Sequence, residues 1–297
     1  MKILISGASG FVGTALIEDL RGRGLEVLTL VRGAAKPGSH QRRWAPEHGE
    51  LDPDVVSGAD AVINLNGRNI ADGRWTESVK EQLRSSRIDS TRTIAEAMSR
   101  ADQPPGLLIN ASATGYYGDR GDTHLDEASN PGDGFLADLC ADWERTAAAA
   151  ASGRTRVVAI RLGMVLGDEG ALGKMLTPFK LGLGGPMGNG RQYWPWITIG
   201  DVVGAVGHIL ASPEIDGPVN LVAPESVTSK GFARTLGEHL GVPALVPAPA
   251  FALKLALGEM AEGLLLASQR VTPSVLLESG YRFSAPTLAD AFRQILA

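Results

Sequence analysis

The sequence predicts an α/β chain: a doubly wound parallel sheet followed by a small, mainly helical C-terminal domain. Three observations carry that expectation. Over the first two-thirds, short apolar runs alternate with segments of 3.6-residue periodicity, which implies βαβ units and a parallel sheet covered on both faces. A glycine-rich turn joins the first apolar run to the first periodic segment. From residue 229 onward the periodicity is mainly helical.

Taken in order, residues 2–6 form a buried strand. Residues 11–23 carry Val12, Ala15, Leu16 and Leu20 at helical spacing and stop near Gly24. Strands are expected at 26–32, briefly at 41–45, and at 61–65. A long helix spans 76–100 with Thr76 as its N-cap. Residues 107–112 make a fifth strand, 133–152 a helix and 156–162 a sixth strand. Residues 182–190 hold five glycines and read as a mobile loop. Residues 209–222 supply one more helix end and strand. Helices are expected at 229–240, 250–266, 273–278 and 287–296.

Composition narrows the function classes. At 297 residues the chain holds about two domains, or one with an appendage. Its 37 Gly and 17 Pro follow no G-X-Y period, which excludes collagen. Its single cysteine, Cys140, excludes a disulfide framework and a multi-cysteine zinc site. The five histidines are scattered, so no metal site is expected. With 28 basic and 33 acidic residues and no long block of one sign, no nucleic-acid surface is indicated. The apolar stretch 249–267 is interrupted by Lys254, Glu259 and Glu262, which suits an amphipathic helix and not a membrane span. No targeting segment is expected, and the location expected is cytoplasmic.

Gly7-Ala8-Ser9-Gly10-Phe11-Val12-Gly13 lies between the first strand and the first helix. Such a turn lets backbone approach a pyrophosphate and aims helix N–H groups at it. Gly7 serves the tight turn, Gly10 the close approach of the ligand, and Gly13 the packing of helix on strand. Dinucleotide binding through Gly7, Ser9, Gly10, Phe11, Val12 and Gly13 follows, on a Rossmann sheet. The domain boundaries expected are 1–165 for dinucleotide binding, with a return segment at about 195–225, and 166–194 plus 226–297 for a substrate-side cap.

The spacing G-x-x-G-x-x-G resembles that of the extended short-chain dehydrogenase/reductase family, which includes sugar-nucleotide epimerases and dehydratases. Asn64-Leu65-Asn66-Gly67, Ser86 to Arg92, Ala111-Ser112-Ala113-Thr114-Gly115-Tyr116-Tyr117-Gly118, Phe135 to Cys140 and Leu183 to Gly188 resemble one subgroup. It comprises epimerase-like proteins carrying a small C-terminal domain of unknown function, and the similarity covers essentially the whole chain. The resemblance implies cofactor contacts at Leu65, Asn66 and Gly67, with Arg87 turned toward cofactor or substrate. It also leaves room for a homodimer.

An acidic residue ending the second strand would bind the ribose hydroxyls of NAD. That position holds Arg32, whose guanidinium suits a 2′-phosphate by charge and shape, with Arg42 and Arg43 nearby. The expected cofactor is NADP(H).

In the wider family a Ser or Thr follows the fifth strand and a Tyr-x-x-x-Lys comes later, the Lys assisting a tyrosine that is otherwise a poor base at neutral pH. Ser112 fits the first slot. Aligned on Glu144, the Tyr and Lys slots fall on Leu136 and Cys140, and no Tyr-x-x-x-Lys occurs in the chain. Tyr116 is the candidate replacement acid/base; Tyr117, the more structural of the pair, is a candidate substrate contact. Dehydration is disfavoured, because Ala113, Thr114 and Gly115 stand where dehydratases carry an Asp-Glu pair.

The segment from Arg191 to Asp201 resembles the family's return to the sheet after substrate contact. The slot of an arginine used on diphosphates holds Trp194, with Arg191 three residues earlier. Arg191 and Trp194 are candidate substrate contacts, with core packing the alternative for Trp194, and Asp201 is read as a helix cap. Two functions remain open: an NADP(H)-dependent oxidoreductase or epimerase-like enzyme acting on an unidentified small molecule, and a non-catalytic NADP(H)-binding sensor or scaffold.

Overall fold

The computed structural model describes residues 1–296; Ala297, the last residue of the expected cap, lies outside them. Seven parallel strands form the central sheet: β1 (Lys2–Ser6), β2 (Glu26–Val31), β3 (Gln41–Arg43), β4 (Ala61–Asn64), β5 (Leu107–Ala113), β6 (Arg156–Leu162) and β7 (Gly217–Leu221). Their spatial order is β7-β6-β5-β4-β1-β2-β3, so the chain order reverses across β1 and β4. In doubly wound sheets ligands bind outside the carboxyl ends of the strands at such a reversal.

The sheet is buried on both faces, which is why its strands read as near-continuous apolar runs. Ile3 and Ile5 face one core with Leu16 and Leu20 of α1 (Phe11–Gly22) and Val202 and Val206 of α5 (Ile199–Ala211). Leu4 faces the other with Ile94 and Met98 of α2 (Glu77–Arg100). The N-cap of α2 is Thr76, whose side chain accepts the Val79 N–H.

α3 (Phe135–Ala148) begins two residues later than expected, because Gly134 takes a φ of +99° just ahead of it. α4 (Gly170–Lys180) went unrecognised in the sequence. The C-terminal lobe packs Trp194, Trp196, Phe232 of α6 (Ser229–Leu240) and Phe292 of α8 (Leu288–Ile295) into a third core. The helix expected over 250–266 breaks. α7 (Ala250–Leu257) ends at Gly258, where φ is +64°, and a separate π-type turn spans Ala261–Leu266.

Two readings need correction. The 182–190 segment is pinned: Val246 N donates to Gly184 O, Gly188 N to Ala248 O and Ala248 N to Pro186 O. Its glycines permit close packing, since a Cβ at Gly185 would run into the Val246 backbone. Asp201 is not the cap of α5; Thr198 is. Asp201 lies buried in the first turn and accepts the N–H groups of Ser284 and Ala285 at 2.7 and 3.1 Å, tying the C-terminal segment to the sheet domain.

Candidate active site

The site is built on the carboxyl edge of the sheet. At the β1–α1 turn Gly7 has a φ of +71°, and a Cβ there would meet Leu65 O at 2.6 Å. A Cβ at Gly13 would run into Gly7 O, so helix and turn are in backbone contact. Gly10 is the N-cap of α1 and supplies no side chain to cap the first-turn amides. Those N–H groups, together with the helix dipole, are a donor set suited to phosphate. Ser9 is exposed on the turn. Phe11 and Val12 point inward, the first against Gly167 and the second onto the core beneath α1. What they offer a ligand is backbone N–H.

Leu65, Asn66 and Gly67 leave β4 beside this turn. Asn66 Nδ2 donates to Ser86 O at 3.2 Å, and a Cβ at Gly67 would sit 3.2 Å from Arg87 Cζ. Arg87 donates to Leu83 O, lies 5.1 Å from the Trp143 ring centroid, and has its pKa lowered by burial. At the end of β2, Arg32 is exposed and without an ion pair among the described residues. Arg43 pairs with Val31 across β2 and β3 and is also exposed. Arg42 is folded back onto Ser39 O and Gln41 O.

The β5 end departs from expectation. Ser112 is 2% exposed, and its hydroxyl donates to Glu144 Oε1 at 2.6 Å. Arg161 grips the same carboxylate with two bonds of 2.8 Å and donates to Tyr117 Oη at 2.9 Å. Burial lowers the Arg161 pKa, but Glu144 and Tyr117 outweigh it and the net direction is up. Ser112 is thus a member of a buried network and not a group facing a ligand. Tyr117 is likewise corrected from substrate contact to core: it is fully buried, its hydroxyl sits 2.7 Å from Asn220 Oδ1, and burial pushes its pKa up to about 12. Tyr116 is half-buried, lies face-on to Arg161 Cζ at 3.6 Å, and has no hydrogen-bond partner for its hydroxyl among the described residues.

Leu136 and Cys140 lie against the β5 turn, 3.2 and 3.8 Å from a Cβ placed on Gly115. Burial pushes the Cys140 thiol up to about 11, so it is protonated at neutral pH. Trp194 belongs to the C-terminal core: it is 7% exposed, stacks edge-on with Phe232 and donates to Leu265 O. Arg191 is exposed and lies outside the cleft wall described next.

A cleft of about 600 Å³ opens between the β5 turn, the start of α3 and the C-terminal lobe. Gly115 and Leu136 line it on the sheet side. Trp75, Gln192, Gln269 and the trio Lys254, Glu259 and Glu262 line it elsewhere. Sequence reasoning missed these as site residues, although the trio was visible as the polar interruption of the 249–267 run. Among the described residues there is no cluster of potential metal ligands and no helix long and apolar enough to cross a membrane.

Comparison with known proteins fits this construction. The model of the NAD dependent epimerase/dehydratase family matches residues 3–221, and that of a domain of unknown function (DUF1731) matches residues 248–295. Epimerase family protein Mb2239 of Mycobacterium bovis is 41% identical over 97% of this chain and 95% of that protein. Human epimerase family protein SDR39U1 is 39% identical over the full length of both. The crystal structure of its isoform 2 with NADPH superposes with a TM-score of 0.91 at 38% identity, covering 99% of each chain. Glycine turn, parallel sheet and C-terminal lobe together identify the chain as a member of the NAD-dependent epimerase/dehydratase family, in the subgroup that carries the C-terminal domain of unknown function.

Proposed function

We propose that this chain is an NADP(H)-dependent oxidoreductase or epimerase-like enzyme that exchanges hydride at a carbonyl or hydroxyl carbon. The observation that carries the reading is the phosphate turn paired with Arg32. The turn offers uncapped helix amides and three glycines at backbone-contact distance, and the end of β2 offers a free guanidinium where NAD-binding sheets place a carboxylate. The human relative solved with NADPH supports the same choice. The residues present therefore fit the cofactor, which when bound supplies a hydride donor or acceptor. Gly7, Ser9, Gly10 and the amides of Phe11, Val12 and Gly13 would hold its pyrophosphate, and Arg32 its 2′-phosphate. Leu65, Asn66, Gly67 and Arg87 would flank it along the sheet edge.

Tyr116 is the acid/base in this proposal. Its hydroxyl is without a protein partner among the described residues, and the Arg161 guanidinium under its ring fixes its orientation. Ser112 acts through Glu144 and Arg161 as a positioning residue.

The second reading, a non-catalytic NADP(H)-binding sensor, is favoured by one observation: the chain has no Tyr-x-x-x-Lys, and alignment on Glu144 puts Leu136 and Cys140 in those slots. Thermal shift with NADPH and NADH, followed by a carbonyl panel read at the NADPH absorbance, separates the two. Stabilisation by NADPH with turnover lost in Tyr116→Phe fits the enzyme. Stabilisation with no turnover on any carbonyl fits the sensor. No shift with either nucleotide defeats both.

A further inference from the structure

Resting on the reading of the β5 edge as the hydride site, we infer that the adjacent cleft takes a neutral or cationic, partly apolar molecule bearing hydrogen-bond donors, and not a nucleotide diphosphate. One side of the cleft is apolar. Trp75 and Phe135 meet edge-to-face at 5.4 Å, and the Trp75 indole N–H is already donated to Ile70 O, so the wall presents carbon. Leu136 and Leu266 extend it.

The polar side is rich in acceptors. Gln192 is 6% exposed, and its Nε2 donates to two carbonyls, Met187 O at 3.0 Å and Leu265 O at 2.9 Å. Two carbonyl partners can only be met by the NH₂ end, which fixes the amide orientation. Gln192 Oε1 is left buried with no partner, a state polar groups rarely keep without a ligand or water. Gln269 repeats the arrangement: Nε2 donates to Gly118 O at 3.1 Å, leaving its carbonyl oxygen as the free end.

Charge points the same way. The lining carries four carboxylates, Asp119, Asp133, Glu259 and Glu262, against one ammonium, Lys254, with no arginine or histidine. Lys254 is engaged by Glu262 at 2.5 Å, and Glu259 is engaged by Lys80 from outside the lining. Asp119 and Asp133 are left without an ion pair among the described residues. A diphosphate would meet two carboxylates without a cationic partner, Asp133 and Asp119 (whose Oδ1 accepts the Gly121 and Ser268 N–H groups), and no free cation, whereas an ammonium or hydroxyl donor meets acceptors throughout.

Three para-substituted acetophenones of nearly one shape test this: aminomethyl (cation), hydroxymethyl (neutral donor) and carboxylate (anion). UDP-glucose serves as the nucleotide-sugar probe. Binding is measured by ligand-observed NMR on the full chain, with and without saturating NADPH. The aminomethyl compound should bind about tenfold more tightly than the carboxylate, the scale of a pair of screened charge contacts. The gap should collapse in the Asp119→Asn/Asp133→Asn double variant, whose shapes are conserved. UDP-glucose should not compete with the acetophenones. Equal or reversed ranking, an unchanged gap in the variant, competition by UDP-glucose, or no binding of any acetophenone at millimolar concentration would overturn the inference. Failure of NADPH to bind would instead sink the cofactor reading, and the charge ranking would still be read in the nucleotide-free arm.

Discussion

The two ends of the cofactor edge, the β1–α1 turn and the β5–α3 region, sit on one sheet and differ in kind. At the first, binding capacity resides in backbone: Gly7, Gly10 and Gly13 bring N–H groups and main chain to a surface that no side chain blocks. At the second it resides in side chains, and these depart from the family's usual set. Leu136 and Cys140, which alignment on Glu144 sets against the family's Tyr and Lys, pack against Gly115, while Ser112 is drawn into the Glu144–Arg161 network. Backbone sites tolerate drift in neighbouring side chains, whereas a proton-transfer site is remade by single substitutions. The same sheet edge can thus keep its nucleotide grip while its chemistry changes.

The largest effect expected from breaking this contrast lies in the β5–α3 network. Arg161→Met removes one partner of a pair in which Arg161 is 3% and Glu144 15% exposed, leaving a carboxylate with only Ser112. Loss of a buried partner costs about 3–5 kcal/mol. Chemical denaturation should show that loss, and the Glu144→Gln/Arg161→Met double variant should recover part of it. If the single variant loses under about 1 kcal/mol, the network is peripheral and the β5 end is not the rigid platform described.

Next comes the turn. In Gly13→Ala the new Cβ runs into Gly7 O, which is backbone and cannot swing away. Overpacking of this sort costs about 1–3 kcal/mol, and the displaced turn should weaken NADPH by about tenfold or more in a fluorescence titration. Gly10→Ala meets only Gly7 O at 3.4 Å, so it should keep the stability of the parent chain while still weakening NADPH. Equal damage from both would show that the glycines serve packing alone.

Arg32→Asp is milder for the fold, since Arg32 is exposed. It should weaken NADPH by roughly ten- to a hundredfold, the scale of a charge-assisted bond to phosphate, and change NADH far less. Equal loss for both nucleotides would remove Arg32 from the 2′-phosphate.

These regions were unequally legible in the sequence. The turn was readable because its geometry is written in glycine spacing, and its sheet because both-face burial makes strands apolar throughout. Ser112 was read as facing the substrate, and Tyr117 and Trp194 as substrate contacts with a structural role the alternative, because one-dimensional position says a residue is near the edge but not which way its side chain points. Alternation along β5 puts Asn110 and Ser112 on one face, with Asn110 bonded to Asn64 and Ser112 to Glu144, and only the tertiary partners show that face to be closed. The cleft was illegible for another reason: its polar groups come from 119, 133, 192, 254–262 and 269, brought together by the C-terminal lobe alone.

The smallest effect concerns Cys140, and it bears on which end of the edge does chemistry. Its thiol is buried in α3 and pushed up to about 11, chiefly by burial and then by the Glu144 charge, from an ordinary value of 9.0. A raised folded-state value means the protonated thiol is favoured by folding. That contribution is complete below pH 9.0 and is lost as pH climbs toward about 11. Alkylation of the native chain by iodoacetamide should therefore be negligible at pH 8 and should rise only as the pH nears 11 or as the chain unfolds. Cys140→Ala should leave NADPH binding and any carbonyl turnover intact and cost no more than about 1–2 kcal/mol, the scale of a small core truncation. Rapid labelling at pH 8 together with lost turnover would transfer the chemistry from Tyr116 to the thiol. The β5–α3 region would then be a rebuilt nucleophile site, not a turn whose tyrosine acts beside a passive core.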